Sequence, residues 1–477
     1  GSMSQLASGL LPALRPMAAQ HAADRFLRAR AVRDSRSGAV LRASSGAFRS
    51  IVSAAVASVP APGSVRGFHV LSSFTGSGAW TTVGARLAYV GANILLYTDT
   101  LSPANGFTAA QLNNFGQYFD ETLDSIAVTN FGSPSDVDEN GHVIVLLSPV
   151  VNADSPAATC ATQGFVAGFF SPDDLDGPSD PNSNQGEIFY SIVPDPAATV
   201  SCAHSVDDIG QSTPSTFLHE LQHLIYFSHH VVLNGGQEGA SWMDEGMSIV
   251  AEELGSTYFE AKCPPPACRT NPAQLFPDSA QGFVSSFLYD SYQYALLPDT
   301  ASLTLHTDDE GGFSWRGGDW LLMRWLGDQA GSGLYKRLED GPADGIANIE
   351  AATGQSFPTL FANFGLALYT DSLPGLPRST APAANRFASR NVKQLWGRLF
   401  ATSGGTGGIT REDPVQLFAI TTDSSVSVMS PGTTTFFRLD TPATAATVTI
   451  RFATPAGGGF SSVLKSQLAV YRLPTGQ

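Results

Sequence analysis

Two histidines and a glutamate stand at a spacing that can activate water on a metal ion. His219, Glu220 and His223 form the sequence H-E-x-x-H, in a run whose apolar residues recur at helical spacing. Histidines four residues apart share one face of a helix, so both imidazoles can bind one Zn²⁺. The glutamate beside the first histidine can then accept a proton from a water at the metal. Thr213 followed by Pro214 is predicted to begin this helix.

A hydrolytic zinc site also needs a third protein ligand, with the fourth position left to water. Glu245 follows His223 after twenty-one residues, in a segment with its own helix signals. A loop of that length can bring a second helix back over the first, and Gly246 beside Glu245 indicates close packing. We therefore predict Glu245 as the third ligand. Glu252, two turns further along the same face, is the alternative, either as the ligand or as a carboxylate that orients a ligand histidine.

The pairing of the H-E-x-x-H motif with residues 242–246, Trp-Met-Asp-Glu-Gly, resembles the gluzincin metallopeptidases. The resemblance is strongest to the hyicolysin-type secreted bacterial proteases. It implies a zinc endopeptidase in which His219, His223 and Glu245 hold Zn²⁺ and Glu220 is the general base. It also implies an α+β zincin-like catalytic domain. In that fold a twisted N-terminal sheet leads to the active-site helix and a helical C-terminal lobe, and an extended peptide binds in the cleft between them.

Peptide hydrolysis requires a further donor that stabilises the oxyanion of the tetrahedral intermediate. The sequence offers several polar side chains for this role without choosing among them. They are Tyr226, Tyr289, Tyr292, His306 and Arg316.

Four nearby residues are not predicted as metal ligands, although His230 could donate to a cleft group. His229 and His230 follow the motif by one to two turns, which is typical of surface residues at a helix end. Asp244 and Glu253 are predicted to be solvated helix charges.

Two other classes of function remain open. Zinc chemistry alone does not select the scissile bond, so the site could hydrolyse a bond other than a peptide bond. The chain could also be a non-catalytic, adhesin-like protein that keeps the fold and binds a surface. The presence of three ligands and a base favours the enzyme.

Charge and composition narrow the partners. The net charge of −16 argues against nucleic acid, because phosphate binding requires clustered positive charge. We expect a protein or peptide substrate, no membrane-spanning segment, and a monomer. Four cysteines are compatible with two disulfides, with three pairings possible. Cys263 and Cys268 could close a small loop and leave Cys160 with Cys202. Disulfides predict a secreted or periplasmic protein, its signal peptide removed.

Composition divides the 477 residues into three parts. Residues 1–64 carry eight arginines and two acidic residues and include a predicted helix at 18–32; they form a pro-segment, an anchoring arm or a solvated leader. Residues 65–400 are the predicted catalytic domain. A glycine-rich linker then leads to a predicted β-sandwich at 409–477, which could contact a polymer or a cell surface. Its strands are expected at 415–420, 425–429, 434–439, 447–452 and 468–473.

One acidic turn resembles the first half of a calcium loop. Asp136, Asp138 and Asn140 stand at alternate positions before a turn glycine. Position twelve of such a loop normally carries a bidentate glutamate, but here it is Leu147. A tight turn into a buried strand at 143–147 is the favoured interpretation, with Ca²⁺ as the alternative.

Overall fold

The computed structural model describes most of the chain. The described residues are 17–37, 59–178, 180–264, 267–269, 274–305, 312–331, 333–373, 376–379, 381–420, 430–440, 449, 451–454 and 456–472. They form a mixed α/β body with a six-stranded sheet and many helices, together with a small β region near the C-terminus. This architecture is compatible with a protease domain.

The sheet combines an antiparallel half with a parallel centre. The strands are β1 Val65–Ser73, β2 Ala79–Val90, β3 Ile94–Asp99, β4 Val143–Leu147, β5 Gly168–Phe170 and β6 Ile188–Ser191. Their order in the sheet is β1-β2-β3-β4-β6-β5, so β5 is an edge strand. Strands β1 to β3 are antiparallel, β3–β4 and β4–β6 are parallel, and β5 runs antiparallel to β6.

Hydrophobic cores cover both faces of this sheet. In β3, Ile94 and Leu96 pack into the larger core, and Leu95 and Tyr97 pack into the smaller one. All five residues of β4 are buried, because a strand covered on both faces must be apolar throughout. The prediction of a buried strand at 143–147 is confirmed.

The helices lie along the chain as follows. They are α1 Ala18–Ser37, α2 Ala109–Tyr118, α3 Asp124–Phe131, α4 Pro149–Ala153, α5 Cys160–Gln163, α6 Val206–Phe227, α7 Ser241–Lys262, α8 Ser291–Leu296, α9 Phe313–Ala330, α10 Leu334–Asp340, α11 Gly345–Thr353, α12 Phe357–Thr370 and α13 Val392–Ser403. Wider π-type turns at Phe119–Leu123, Ser228–Leu233 and Ser286–Asp290 and 3₁₀ turns at Pro172–Leu175, Asp278–Phe283, Ala383–Asn385 and Ser462–Leu464 complete the set.

Helix α6, which carries the H-E-x-x-H motif, begins earlier than predicted. The Ser205 hydroxyl accepts a hydrogen bond from the Asp208 amide (3.0 Å), and the Asp208 carboxylate accepts one from the Ser205 amide (3.2 Å). This capping box is the helix start. The start predicted at Thr213 and Pro214 is wrong, and Pro214 lies inside the helix. Burial of the apolar side chains of α6 offsets the roughly 3 kcal/mol that a proline inside a helix costs.

Helix α7 crosses close to α9, as Gly246 indicated. A Cβ atom at Gly246 would lie 2.8 Å from Met323 Cγ and 2.9 Å from the Asp319 carbonyl oxygen. No larger side chain fits between the two backbones without moving them. Gly246 therefore lets α7 pack closely against α9, and this packing positions the neighbouring Glu245 inside the protein.

The C-terminal part is only partly described. Phe418–Ala419 pairs in parallel with Phe437–Arg438, which is a small β region. The strand expected at 425–429, and residues 447, 448 and 450 of the one at 447–452, lie outside the described residues. Residues 468–472 have no regular structure, although a strand was predicted there.

Both cysteine pairs are bonded, Cys160 with Cys202 and Cys263 with Cys268. Among the described residues, no helix combines the length and the apolar character that a bilayer crossing requires.

Candidate metal centre

Three of the predicted residues converge at one point. His219 Nε2 lies 3.7 Å from Glu245 Oε2, and His223 Nε2 lies 4.0 Å from the same oxygen. One donor atom from each of the three residues lies within 4.8 Å of the others. In a tetrahedral zinc site with bonds of about 2.0 Å, ligand atoms stand about 3.3 Å apart. A contraction of at most about 1.5 Å would bring the three atoms to that spacing, so these residues fit a zinc ion.

Each histidine is oriented by a carboxylate behind it. His219 Nδ1 is 2.8 Å from Glu252 Oε1, and His223 Nδ1 is 2.8 Å from Asp244 Oδ2. A carboxylate accepts a proton but has none to give, so both Nδ1 atoms carry the hydrogen. Both Nε2 atoms are left free to face Glu245. This arrangement is the usual support of a metal-binding histidine.

Glu252 therefore stands behind His219, on the side away from the other two ligand atoms. Its second oxygen accepts hydrogen bonds from the hydroxyls of Ser215 (2.8 Å) and Ser286 (2.9 Å). Both oxygens of the Glu252 carboxylate are therefore hydrogen-bonded, and this holds the His219 imidazole in position. Of the two carboxylates considered from the sequence, Glu245 is the one that faces both Nε2 atoms.

The prediction that Asp244 and Glu253 are solvated charges is wrong. Asp244 is 2% exposed and bonds His223, and its pKa lies well below its usual range, since the interactions with His223 and Arg28 outweigh burial. Glu253 is 1% exposed and pairs with Arg324 and Arg390. Helical periodicity alone could not predict that these two carboxylates are buried, because their ion-pair and hydrogen-bond partners come from distant segments of the chain.

Glu220 is buried and lines the same cavity as His223 and Glu245. Its Oε2 accepts a hydrogen bond from the amide of Phe170 on the edge strand (3.1 Å). Burial raises the pKa of the Glu220 carboxyl to about 7, against the opposing effect of the His219 and His223 imidazoles. A base whose pKa lies near neutrality is well matched to proton transfer at that pH.

Arg316, one of the five candidate donors, reaches the centre. Its Nη2 donates to Glu245 Oε2 (2.5 Å) and lies 3.4 Å from His219 Nε2. Burial opposes ionisation of Glu245, but Arg316 and the two imidazoles hold its pKa below the usual value. The second guanidinium nitrogen, Nη1, donates to Asp24 of α1 (2.8 Å).

The other candidate donors have different surroundings. The Tyr292 hydroxyl bonds the backbone of Arg411 through both its amide and its carbonyl. Tyr289 is half-buried with its ring against Phe313. Tyr226 is buried with its ring 4.1 Å from that of His230. His306 lies outside the described residues.

His229 and His230 are buried rather than on the surface, so that prediction is wrong. His229 Nε2 bonds the Ser133 carbonyl oxygen (3.0 Å), and His230 Nε2 bonds the Leu338 carbonyl oxygen (3.2 Å). The chain continues as a wide turn through Ser228–Leu233 instead of ending in solvent. Both histidines tie this turn to neighbouring segments.

The N-terminal helix α1 lies across the centre. Arg28 donates to Asp244 (2.8 Å) and to the Gly239 carbonyl (3.0 Å). The Gln20 side-chain amide donates to the Gly168 carbonyl (3.0 Å) and accepts from the Ala167 amide (2.8 Å), at the edge strand β5. A cavity of about 50 Å³ remains between α1 and the body. It is lined by Asp24, Leu27, Glu220, His223 and Glu245, among others.

The acidic turn at 136–141 is described as well. Asp136 accepts a hydrogen bond from the Gly141 amide (3.1 Å), and Asp138 accepts one from the Asn140 side chain (2.6 Å). The turn leads directly into β4, as the favoured interpretation predicted.

Comparison with known proteins shows similarity to a metalloprotease. The chain is 28% identical over 191 residues to the neutral metalloprotease ShpI of Staphylococcus hyicus. The match covers 40% of this chain, and the chain spans only 40% of that relative's length. No family model matches the chain. The similarity supports a distant relationship to metalloproteases.

Proposed function

We propose that this protein is a zinc-dependent endopeptidase of the gluzincin type, with His219, His223 and Glu245 as the metal ligands. The observation that carries the proposal is the convergence of two oriented imidazoles and one carboxylate beside the buried Glu220. Similarity to a neutral metalloprotease supports peptide bonds as the substrate. Zinc bound there would acidify water and polarise the scissile carbonyl.

The residues around the centre divide the remaining work. Glu220 takes the proton of the attacking water and passes it to the leaving amine, and its pKa of about 7 suits both transfers. Arg316 donates to the oxyanion, since its guanidinium already reaches the ligand atoms. Asp244 and Glu252 hold the imidazoles in the required tautomer.

The edge strand β5 supplies a place for the substrate backbone. An extended peptide can add to an exposed sheet edge through main-chain hydrogen bonds. The Ala167 amide and the Gly168 carbonyl are the groups that Gln20 engages in the described structure. This edge favours a peptide substrate over a non-peptide one, and the buried base favours an enzyme over an adhesin.

The test is cleavage of an unfolded protein, paired with measurement of bound zinc. We expect one zinc per chain, loss of cleavage after a chelator removes the metal, and recovery on adding back one equivalent. The assay includes a sample whose N-terminal arm has been removed by limited proteolysis. Zinc-loaded protein that cleaves no unfolded protein in either form would contradict the proposal.

We further propose that the arm of residues 1–64 is a pro-segment that keeps the enzyme latent through α1. Gln20 occupies the backbone groups that a substrate would use, and Asp24 occupies the proposed oxyanion donor Arg316. Arg28 also bonds the carboxylate that orients His223. Substrate can enter only if α1 leaves the cleft.

Changing both Gln20 and Asp24 to alanine should therefore activate the full-length protein. Hydrogen bonds to a charged partner contribute about 1.5–3 kcal/mol, and 1.4 kcal/mol is a factor of ten. We expect cleavage to rise at least tenfold, with zinc content unchanged. Arg36→Ala, at an exposed position of the same helix, is the matched control and should leave activity at the wild-type level. Equal activity in the double variant and the control would contradict latency.

We also propose a secreted or periplasmic location. The two disulfides are typical of proteins that fold in an oxidising compartment.

A further inference from the structure

Three carboxylates meet at one end of the central sheet, and none of them is a proposed zinc ligand. Asp136 and Asp138 come from the turn before β4, and Glu187 directly precedes β6. Because β4 and β6 are parallel neighbours, with Ile144 opposite Ile188, their starts lie at the same edge. One oxygen from each carboxylate lies within 4.8 Å of the others.

The Glu187 carboxylate supplies a ligand that the sequence of the 136–147 loop itself lacks. Asp136 and Asp138 fit the first half of a calcium loop, but the residue at position twelve is Leu147. Glu187 lies 49 residues beyond Asp138 in the chain, so only the pairing of β4 with β6 brings it to the turn.

One carboxylate oxygen of Glu187 gives independent evidence that a ligand binds here. The side chain is buried, with the residue 1% exposed. Its Oε1 accepts hydrogen bonds from the Ser135 hydroxyl (2.6 Å) and the Val137 amide (3.1 Å). Its Oε2 is buried and has no hydrogen-bond partner among the residues that the structure describes. A carboxylate oxygen in that position loses its hydration without compensation, which a cation would restore.

The electrostatics of the cluster agree with this geometry. Burial raises the pKa of Glu187 to about 7, and the negative charges of Asp138 and Asp136 raise it further. Burial and Asp136 likewise raise the pKa of Asp138, while Arg66 lowers it at longer range. The Arg66 guanidinium itself donates to the Asn184 carbonyl (3.0 Å).

A second acidic cluster shows the contrast. Asp173 and Asp34 lie within ligand distance of Asp176, but Arg30 and Arg33 already form ion pairs with them. Arginine supplies the positive charge there. The carboxylates around Glu187 lie at a similar spacing, and there one oxygen from each of the three faces the other two.

We propose that Asp136, Asp138 and Glu187 form a Ca²⁺ site. Carboxylate oxygens are the ligands that Ca²⁺ prefers, and its coordination tolerates three protein ligands of irregular spacing completed by water. Mg²⁺ demands a near-ideal octahedron and gives up its waters reluctantly. Asp136 and Asp138 are only partly buried, so solvent can reach the open side.

The site would fasten the central sheet to the zinc-binding helix. The Ser135 hydroxyl that bonds Glu187 is also 2.9 Å from the Ser228 hydroxyl, in the turn that follows α6. Bound Ca²⁺ would hold the starts of β4 and β6 together and, through Ser135, the end of α6. This role is structural and does not depend on the proposed peptidase activity.

The test is a calorimetric titration of CaCl₂ into the zinc-loaded, full-length protein in calcium-free buffer, with thermal unfolding measured in parallel. We expect one Ca²⁺ per chain at this site. Saturation at one hundred times Kd should raise Tm by about 4 °C. Glu187→Gln and Asp138→Asn should each lose the binding and the Tm shift. Glu139→Gln, an exposed acid in the same turn, is the matched control and should behave as wild type.

Folding of the variants is checked without calcium. Glutamine at position 187 keeps an acceptor for Ser135 and Val137 but removes a buried charge, so this variant should melt no lower than calcium-free wild type. Absence of Ca²⁺ binding in the wild type would overturn the proposal. Unchanged binding in both Glu187→Gln and Asp138→Asn would also overturn it, by placing the ion elsewhere.

Discussion

Replacing Glu220 with glutamine should abolish peptide hydrolysis while leaving zinc bound. The amide keeps the size of the side chain and an oxygen for the Phe170 amide, which donates to Glu220 Oε2. It cannot take a proton from the attacking water. General-base catalysis contributes 10²–10⁴-fold, and here the same group also returns the proton, so we expect a loss of about 10⁴-fold in kcat/KM. The measurement is cleavage of an unfolded protein by activated enzyme of known zinc content.

Two further variants make this result specific. Glu121→Gln changes an exposed glutamate far from the ligand atoms in sequence and should cleave as wild type does. Glu220→Asp retains a carboxylate on a shorter side chain and should give an intermediate rate. Cleavage by Glu220→Gln within tenfold of wild type would remove Glu220 from the role of base.

Replacing Glu245 with alanine should instead remove the metal. Its Oε2 is the oxygen that faces both His219 Nε2 and His223 Nε2, and alanine offers no ligand atom there. The variant also leaves the Arg316 cation beside the empty position, which further disfavours Zn²⁺. We expect zinc affinity to fall by more than about 100-fold, and activity to fall with it. Competition with a chromophoric chelator measures this affinity.

The carboxylates behind the histidines provide the matched comparison. Glu252→Gln and Asp244→Asn keep an acceptor for each Nδ1–H but lose the charge. Loss of such outer partners costs 10–100-fold in metal affinity, so both variants should still fill with zinc at higher concentration. Stoichiometric zinc in Glu245→Ala, combined with zinc loss in Glu252→Gln, would transfer the third ligand to Glu252.

Latency and metal binding are connected through α1. Arg28 bonds Asp244, and Asp24 bonds Arg316, so one helix engages both an orienting carboxylate and the proposed oxyanion donor. Departure of α1 would free the Arg316 guanidinium at the same step that opens the edge strand. In the proposed latent form, the arm therefore blocks the proposed substrate site and occupies the proposed oxyanion donor.

The sequence alone predicts those positions in the proposed site whose relation is local. His219, Glu220 and His223 were predictable because helical periodicity fixes their relative positions within two turns. Glu245 was predictable in part, because Gly246 signalled a close helix crossing that the contact with Met323 and Asp319 bears out. The buried strand at 143–147 followed from its unbroken apolar run.

Tertiary structure decided everything that depends on distant segments. The hydrogen bonds of Asp244 could not be predicted from the sequence, because its carboxylate bonds His223 and Arg28, which belong to other helices. The proposed calcium site could not be completed from the sequence, because Glu187 lies outside the local loop and arrives only through strand pairing. Short-range patterns specify which face of an element a side chain occupies. They do not specify which elements the folded chain packs against that face, because that depends on burial across the whole body.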